Sequence, residues 1–334
     1  MGGTPARVGV TTISAIPMME IKGGQQMDWS EPLDYQYLKA ANPEMPAVPI
    51  KTFSGELHRA GATRVIHFDH ARDLKTDYPA TSPNCLASYV RICAGESITT
   101  DIEAASHLFY ILRGEGRTDT SSGAVPWRKD DLITLPACDR ITHTATGDTA
   151  MYWVNDSPLL RYLGVQPARP TFHPVHYTAE WLTQETRKAA DDPDAASSNR
   201  IGILLANSSC PLTRTVTPTL WSLLEIVPAG AVLPPHRHNS VALDLAIRGC
   251  GRGYTLMGRE LDDENHIKDS VRVDWMDASA FTTPPMLWHE HHNEGDEEAW
   301  LLPIQDAGLV TYDRILDIRF AAGGPPRNTG VTAF

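Results

Sequence analysis

The sequence predicts an all-β protein made of two tandem β-rich domains, with a few helices in an N-terminal arm and in a linker. Two observations carry this prediction. Short apolar runs rich in β-forming residues recur from about residue 85, separated by Gly, Asp and Pro, as in a β-sandwich or β-barrel. A second series of such runs begins near residue 212, and it resembles the first.

Four segments follow from this pattern in chain order. Residues 1–70 are rich in Pro and Gly and are predicted to form an extended arm with a few short elements. Residues 71–170 contain the first β series, with runs such as "HLFYILRGEGR" and "DDLITLPA". Residues 171–205 form a helical linker, in which "HYTAEWLTQETRKAADD" has Thr178 as its N-cap. The second β series fills residues 206–334.

The two β series align without a gap when "AGESITTDIEAASHLFYILRGEG" (94–116) is set over "AGAVLPPHRHNSVALDLAIRGCG" (229–251). Glycines and an arginine then match: Gly95 with Gly230, Gly114 with Gly249, Gly116 with Gly251, and Arg113 with Arg248. Glycine adopts positive φ without steric cost, so paired glycines at equal spacing predict paired turns. We therefore interpret the two domains as copies of one β unit.

Composition argues against several classes of partner. The 334 residues carry a net charge of −12, which disfavours binding to nucleic acid or to an anionic membrane. The 5 cysteines include no C-x-x-C pair, as expected of unpaired thiols in a reducing compartment. The sequence has no apolar run long enough to span a bilayer, and its first residues lack the apolar core of a signal peptide. We therefore expect a cytoplasmic protein without a membrane or nucleic-acid partner.

The second copy contains a histidine pattern typical of a metal site. His236 and His238 are separated by one residue, so both point to the same side of a strand. Further along the chain, Pro284 is followed by His289 and then by Asn293. A third imidazole from a distant strand closes one face of an octahedron and leaves positions open for substrate and O₂. Neutral imidazole suits Fe(II), Zn, Ni and Cu, so the ligand type alone does not select the metal.

This spacing, with its flanking glycines, resembles the paired motifs of the cupin superfamily, a small β-barrel that holds a metal inside. The resemblance covers residues 212–320 directly and residues 85–165 in degenerate form. It implies two tandem cupin domains of the double-stranded β-helix, or jelly-roll, type. The segments "PPHRHNSVALDLAIRG" and "TPPMLWHEHHNEGDEEAWL" are similar to the gentisate 1,2-dioxygenase family and its relatives that act on salicylate and 1-hydroxy-2-naphthoate.

The resemblance implies a ring-cleaving dioxygenase of aromatic catabolism that takes a small aromatic substrate, O₂ and Fe(II). It assigns the iron to His236, His238 and His289. It also implies a homo-oligomer, with a tetramer favoured. Two other classes stay open: a metal-dependent cupin without O₂ chemistry, such as an isomerase or decarboxylase, and a non-enzymatic bicupin such as a sensor.

The sequence departs from the family at the substrate position. Where the family has an arginine that pairs with the substrate carboxylate, this chain has Asp244, on the strand face of the histidine pair. Because one carboxylate repels another in a dry site, we expect an aromatic with hydroxyl or amino groups and no carboxylate. Asp244 is predicted to accept its hydrogen bonds and to take part in catalysis. Arg248 on the same face could bind an acidic substrate, but the matched Arg113 favours a structural role.

Residues around the third histidine are assigned further roles. His291 shares the strand face of His289 and is predicted to be the general base toward the substrate hydroxyl. Trp288 is predicted to pack against the barrel and to contact the substrate. Asn293 is predicted to fix the turn or to orient a metal ligand from behind.

The first copy lacks the histidine pair. It has Asp101 and Glu103 at those positions, with His107 and His143 nearby in the sequence pattern. Whether these four residues form a second metal site is left open at this point. We expect the first domain to serve packing and assembly, because solvated turn carboxylates are common.

Overall fold

The computed structural model describes residues 29–321, apart from 42, 139, 194 and 196–198. The described residues from Trp29 to Met45 belong to a unit of their own, in which the short helix α1 (Tyr37–Ala40) is exposed. A second unit begins at Pro46 and contains both β series. Among the described residues, no helix is long and apolar enough to cross a membrane.

The first β series forms two sheets around one apolar cluster. Its strands, with the two that precede it, are β1 (Thr52–Phe53), β2 (Arg64–His67), β3 (Leu86–Ile92), β4 (Ser97–Thr99), β5 (Ser106–Arg113), β6 (Glu115–Thr120), β7 (Gly123–Arg128), β8 (Leu132–Pro136), β9 (Ile141–Ala145), β10 (Thr149–Asn155) and β11 (Val175–Tyr177). The helices here are a 3-10 helix (Gly55–His58), α2 (Ala71–Leu74) and α3 (Ser157–Leu163). The sheet orders are β11-β8-β5-β10-β3-β2 and β4-β9-β6-β7. Side chains of both sheets pack around Phe109 and Trp153.

The second β series repeats this arrangement. Its elements are α4 (Ala179–Ala190), β12 (Gly202–Leu205), β13 (Trp221–Val227), β14 (Val232–His238), β15 (Ala242–Arg248), β16 (Gly253–Gly258), β17 (Val271–Asp274), β18 (Ser279–Thr283), β19 (Trp288–Asn293), β20 (Ala299–Gln305), α5 (Ala307–Tyr312) and β21 (Ile318–Phe320). The sheet orders are β1-β18-β15-β20-β13-β12 and β17-β16-β19-β14-β21. The predicted linker helix is α4, and Thr178 caps it by accepting a hydrogen bond from the Trp181 amide at 3.3 Å.

Residues 46–70, which the sequence analysis assigns to the arm, are built into both β series. Strand β1 pairs with β18 of the second series, whereas β2 pairs with β3 of the first. Each six-stranded sheet therefore gains one edge strand from this segment.

The two six-stranded sheets share an apolar core. Tyr89 and Tyr152 of the first sheet and Leu243 and Leu245 of the second belong to it. The Tyr152 hydroxyl also donates to the Leu243 carbonyl at 3.4 Å. Because side chains alternate along β15, Leu243 and Leu245 face this core and Asp244 faces the opposite side, as the sequence predicts.

The paired turns are confirmed at two of the three glycine pairs. Positive φ occurs at Gly95 (77°) and Gly230 (67°), and again at Gly114 (89°) and Gly249 (69°). In the third pair only Gly116 is sterically required, because an added Cβ would lie 2.1 Å from the Thr144 carbonyl oxygen and 2.6 Å from the Trp127 ring, whereas nothing lies within 4 Å of one at Gly251. Matched backbone conformations at matched positions support the interpretation of the two series as copies.

Candidate metal centre and substrate cavity

Three histidines converge inside the second β series. His236 and His238 lie on β14, and His289 lies on β19 directly opposite His236 in the strand register. The ring centroids are 4.1 Å apart for His236 and His289, 4.9 Å for His238 and His289, and 5.5 Å for the first two. One ring nitrogen from each lies within 4.8 Å of the other two, and all three residues are buried. This arrangement can hold a metal ion.

The hydrogen bonds of two of these histidines leave the Nε2 lone pair free for a metal. His238 Nδ1 lies 2.9 Å from the Ser240 carbonyl, and His289 Nδ1 lies 3.0 Å from the Leu287 carbonyl. A carbonyl only accepts, so each Nδ1 carries the hydrogen and each Nε2 keeps its lone pair. Within the described chain, Nε2 of His238 is buried without a partner. Burial lowers the pKa of His238 to about 4 and that of His289 well below its usual value, so both rings are neutral.

The third histidine is engaged by an arginine that the sequence analysis did not single out. The Arg200 guanidinium contacts His236 Nδ1 through Nη2. Since a guanidinium only donates, His236 Nδ1 accepts in this contact and the hydrogen sits on Nε2. His236 therefore offers a ring nitrogen to a shared ion only when Arg200 releases it. Two histidines fit the metal as they stand, and the third fits after this rearrangement.

A cavity of about 620 Å³ opens beside the histidines. Its apolar lining includes Leu204, Trp221, Leu223 and Phe320, and its polar lining includes Arg200, Glu225, Asp244 and His291. The lining residues of β13 are two apart, as required of side chains that share one face of a strand. The volume lies in the range of small-molecule sites.

Glu225 is the functional candidate that the sequence reasoning missed. Its side chain is fully buried, and neither carboxylate oxygen has a hydrogen-bond partner within the described part of the chain. Its nearest charged or titratable neighbours are Arg200 Nε and His291 Nε2, each at 3.6 Å. Burial raises the pKa of Glu225 to about 7, and Arg200 partly offsets this rise. A glutamate in the apolar run "LWSLLEIV" is the sequence signal that could have revealed it.

Asp244 lines the cavity, as the alternation of β15 predicts. Its Oδ2 accepts a hydrogen bond from the Thr283 hydroxyl at 2.5 Å. Burial raises the pKa of Asp244 to about 7, with a further rise from Glu225. The cavity therefore holds two desolvated carboxyl groups.

His291 also lines the cavity, and a hydrogen-bonded chain orients its ring. The Trp275 indole donates to Thr255 Oγ1 at 2.9 Å, and Thr255 Oγ1 lies 2.9 Å from His291 Nδ1. The Thr255 hydroxyl keeps a second lone pair and its own hydrogen after it accepts from Trp275, so it can bond either tautomer of His291. The other ring nitrogen, Nε2, lies 3.6 Å from Glu225 Oε1. The assignment of His291 as general base stays a prediction.

The other predicted residues lie apart from the cavity lining, as far as the described residues define it. Arg248 lies 3.6 Å from Asp130 and stacks over the Trp300 ring, whereas the Trp288 ring is covered by Arg237. Substrate contact by Arg248 or Trp288 therefore has no support from this geometry. Asn293 fixes the turn, since its Nδ2 donates to the carbonyls of Val227, Pro228 and Glu297 and its Oδ1 accepts from the Gly295 amide.

The four candidates of the first domain do not come together. Asp101 and Glu103 are exposed, and Glu103 accepts a hydrogen bond from Gln166. His107 and His143 are buried, with His107 Nδ1 accepting from the Trp153 indole at 3.3 Å. In the part of the chain that the structure describes, only the histidines of the second domain meet as a possible metal cluster.

Comparisons with known proteins place this geometry in context. No protein-family model matches the chain. A gentisate 1,2-dioxygenase of Aquipseudomonas alcaligenes is 26% identical over 129 residues, which is 39% of this chain and 33% of that protein. A 5-nitrosalicylic acid 1,2-dioxygenase of Bradyrhizobium is 28% identical over 41% of this chain and 62% of its own length. The matched part of this chain thus spans less than two thirds of these relatives.

Among solved structures, the salicylate 1,2-dioxygenase of Pseudoaminobacter salicylatoxidans aligns with a TM-score of 0.67 at 14% identity, over 85% of this chain and 88% of that one. The chain has the fold of this dioxygenase. The predicted all-β class with two tandem cupin domains is therefore confirmed. The similarity to gentisate and salicylate dioxygenases that the sequence motifs indicate is confirmed as well.

Proposed function

We propose that the chain is an Fe(II)-dependent dioxygenase that opens the ring of a hydroxylated aromatic compound with O₂. One observation carries this proposal: three buried, neutral histidines converge in the lining of a cavity of small-molecule size. The similarity to gentisate and 5-nitrosalicylate dioxygenases supports it. The ligand set is His236, His238 and His289, in the domain assigned to residues 206–334.

Iron held by His236, His238 and His289 would supply Lewis acidity and would orient the reactants. The side chains of the cavity enclose the substrate, orient it and take part in proton transfer. Trp221, Leu223 and Phe320 surround the ring and exclude bulk water, which strengthens every polar contact inside. Asp244 accepts a hydrogen bond from a hydroxyl or amino substituent and so holds the ring in one orientation. His291 is proposed as the group that takes part in proton transfer with the substrate hydroxyl.

The proposal extends to the substrate and the assembly. A carboxylate-free aromatic with hydroxyl or amino substituents fits a cavity that holds Glu225 and Asp244. The first domain serves packing and assembly of a homo-oligomer, for which a tetramer is favoured. We also propose that the protein is cytoplasmic.

The test is anaerobic reconstitution of the full chain with Fe(II), followed by O₂ uptake and product analysis. The substrates are gentisate, salicylate, hydroquinone and 2-aminophenol. We expect O₂ consumption and a ring-opened product with hydroquinone or 2-aminophenol. His289→Ala should lose bound iron and O₂ uptake together, whereas His266→Ala on an exposed loop should keep both. Bound iron without O₂ uptake for any of these rings would contradict the proposed function.

A further inference from the structure

The internal duplication shows which cavity residues the fold itself does not require. The gapless alignment of 94–116 with 229–251 continues into the preceding strands, where β3 (Leu86–Ile92) corresponds to β13 (Trp221–Val227). By this alignment Val90 corresponds to Glu225, and Phe109 corresponds to Asp244. The first domain is thus a built-in reference for the second.

In the first domain the two corresponding positions are apolar and closed. Val90 and Phe109 are buried in one apolar cluster, and the Phe109 ring stacks on Trp153 with centroids 5.5 Å apart. In the second domain the strand neighbour of Asp244 is Pro303, and both line the open cavity. The second copy therefore has carboxylates and empty space where the first has packed side chains.

Other polar features are common to both copies. In the first domain the Trp127 indole donates to Thr118 Oγ1 at 2.9 Å, and that oxygen lies 2.8 Å from His143 Nδ1. This is the same Trp–Thr–His chain that orients His291 in the second domain. The chain of hydrogen bonds belongs to the fold, since it occurs in a domain without a metal cluster among its described residues. The carboxylates do not, so their presence in the second copy needs a functional reason.

Glu225 differs from Asp244 in its hydrogen bonding. Asp244 has a hydrogen bond from Thr283, but Glu225 has none from the described chain. Buried carboxylates without hydrogen bonds are rare in folded proteins because the desolvation cost is not recovered. Glu225 lines the cavity, so a hydrogen-bond donor on a ligand can supply what the protein leaves out.

The Arg200 guanidinium in the cavity lining already contacts several protein groups. Arg200 Nη1 donates to the carbonyl and Oδ1 of Asn199 at 2.7 and 3.0 Å, and its Nη2 contacts His236. Its Nε faces Glu225 at 3.6 Å. A bidentate clamp on a ligand carboxylate would require Arg200 to give up several of these contacts.

We propose that Glu225 is a specificity-determining residue, which accepts hydrogen bonds from an N–H or O–H substituent of the aromatic ligand. With Asp244 it forms a pair of acceptors that selects rings with amino or hydroxyl groups over rings with a carboxylate. The aromatic nature of the ligand rests on the proposed function. The donor requirement rests on a carboxylate that receives no hydrogen bond within the described chain, and on the comparison with Val90.

The test compares two rings of equal size that differ in one donor, 2-aminophenol and 2-methylphenol, with salicylate as the acidic probe. Dissociation constants are measured by calorimetry on the full chain, both metal-free and loaded with Fe(II) under anaerobic conditions. Glu225→Val introduces the residue of the first domain, and Glu225→Gln keeps the shape without the charge. Glu180→Gln on the exposed side of α4 is the matched control. Thermal unfolding shows that each variant is folded, and Glu225→Gln serves if Glu225→Val is not.

We expect the wild type to prefer 2-aminophenol over 2-methylphenol, and Glu225→Val to weaken 2-aminophenol binding about tenfold to a hundredfold, as for loss of a charged hydrogen bond. Binding of 2-methylphenol should change by less than about twofold. Glu225→Gln should lose part of the preference, and Glu180→Gln none. Equal weakening of both probes would mean that Glu225 only balances the charge of Arg200, and it would overturn the proposal. Tighter binding of salicylate than of 2-aminophenol by the wild type would also overturn it.

The two proposals fail separately. Ring opening with O₂ but no effect of Glu225 on probe preference refutes the specificity role and leaves the dioxygenase intact. A Glu225-dependent preference without O₂ consumption refutes the dioxygenase and supports the acceptor site.

Discussion

The charge of Glu225 should make the folded protein less stable as the pH rises. Burial raises the pKa of this carboxyl from its usual 4.5 to about 7. Between these two values the folded chain holds a proton that the unfolded chain has lost, so the free energy of unfolding falls with rising pH. Above this window the full effect applies, and a pKa difference of this size corresponds to a loss of about 3 kcal/mol.

Glu225→Gln removes this titration and nearly keeps the shape of the side chain. We expect the free energy of unfolding of the metal-free variant, relative to the wild type, to rise by about 2–3 kcal/mol between about pH 5 and about pH 8. The assay is urea unfolding of both proteins across this range at constant ionic strength. The charged or titratable groups that face Glu225 are Arg200, His291 and Asp244. Asp244→Asn gives the second curve, because the pKa of Asp244 is also raised to about 7.

The test depends on how the difference in the free energy of unfolding between wild type and Glu225→Gln changes with pH. A constant offset between the two proteins reflects differences in packing and hydrogen bonding between the carboxyl and the amide, which do not change with pH. If the stabilities of wild type and Glu225→Gln follow pH in parallel, the carboxylate is not desolvated in the folded protein. The reasoning from its burial would then be refuted.

Three further predictions concern the metal, a turn and the substrate. Fe(II) at a concentration of about a hundredfold its dissociation constant should raise the free energy of unfolding of the wild type by about 2.7 kcal/mol and should leave that of His289→Ala unchanged. If thermal unfolding shows that His289→Ala is still stabilised by Fe(II), the metal site lies elsewhere. Gly230→Ala should lower the free energy of unfolding by about 1–2 kcal/mol because of the positive φ. Gly249→Ala should lower it further, because its Cβ would also lie 2.2 Å from the Glu298 carbonyl oxygen. Equal melting temperatures of the two variants would contradict this. Asp244→Arg should shift O₂ uptake toward salicylate relative to 2-aminophenol by about tenfold, a change of about 1.4 kcal/mol, and an unchanged ratio would speak against Asp244 as a substrate contact.

Several features of the site could be predicted because they depend on short-range geometry. The one-residue spacing of His236 and His238 places both on one strand face wherever the strand lies. The same alternation places Asp244 in the cavity and its neighbours Leu243 and Leu245 in the core between the sheets. In these cases the sequence period carries the structural information.

Other features could not be predicted because they depend on where the strands bulge and which loops return to the site. Arg248 shares the parity of Asp244, but a register shift between Ala246 and Arg248 accompanies its contact with Trp300 instead of the cavity. Arg200 lies in the segment assigned to the linker, and no local pattern indicates that it reaches His236. Pairing of β1 with the distant strand β18 is equally invisible to local patterns.

By itself, the sequence determined the all-β class, the duplication, the turns at two pairs of matched glycines and the shared strand face of His236 and His238, because each follows from local periodicity or spacing. The third histidine, His289, came from the family resemblance. Only the tertiary structure decided that Glu225 lies beside Arg200 and His291 without a hydrogen bond from the described chain, and that the corresponding space in the first domain is filled by Phe109 and Trp153. The reason is physical: the charge state and hydrogen bonding of a buried group depend on side chains from strands far apart in the sequence, and only the packed sheets bring these together.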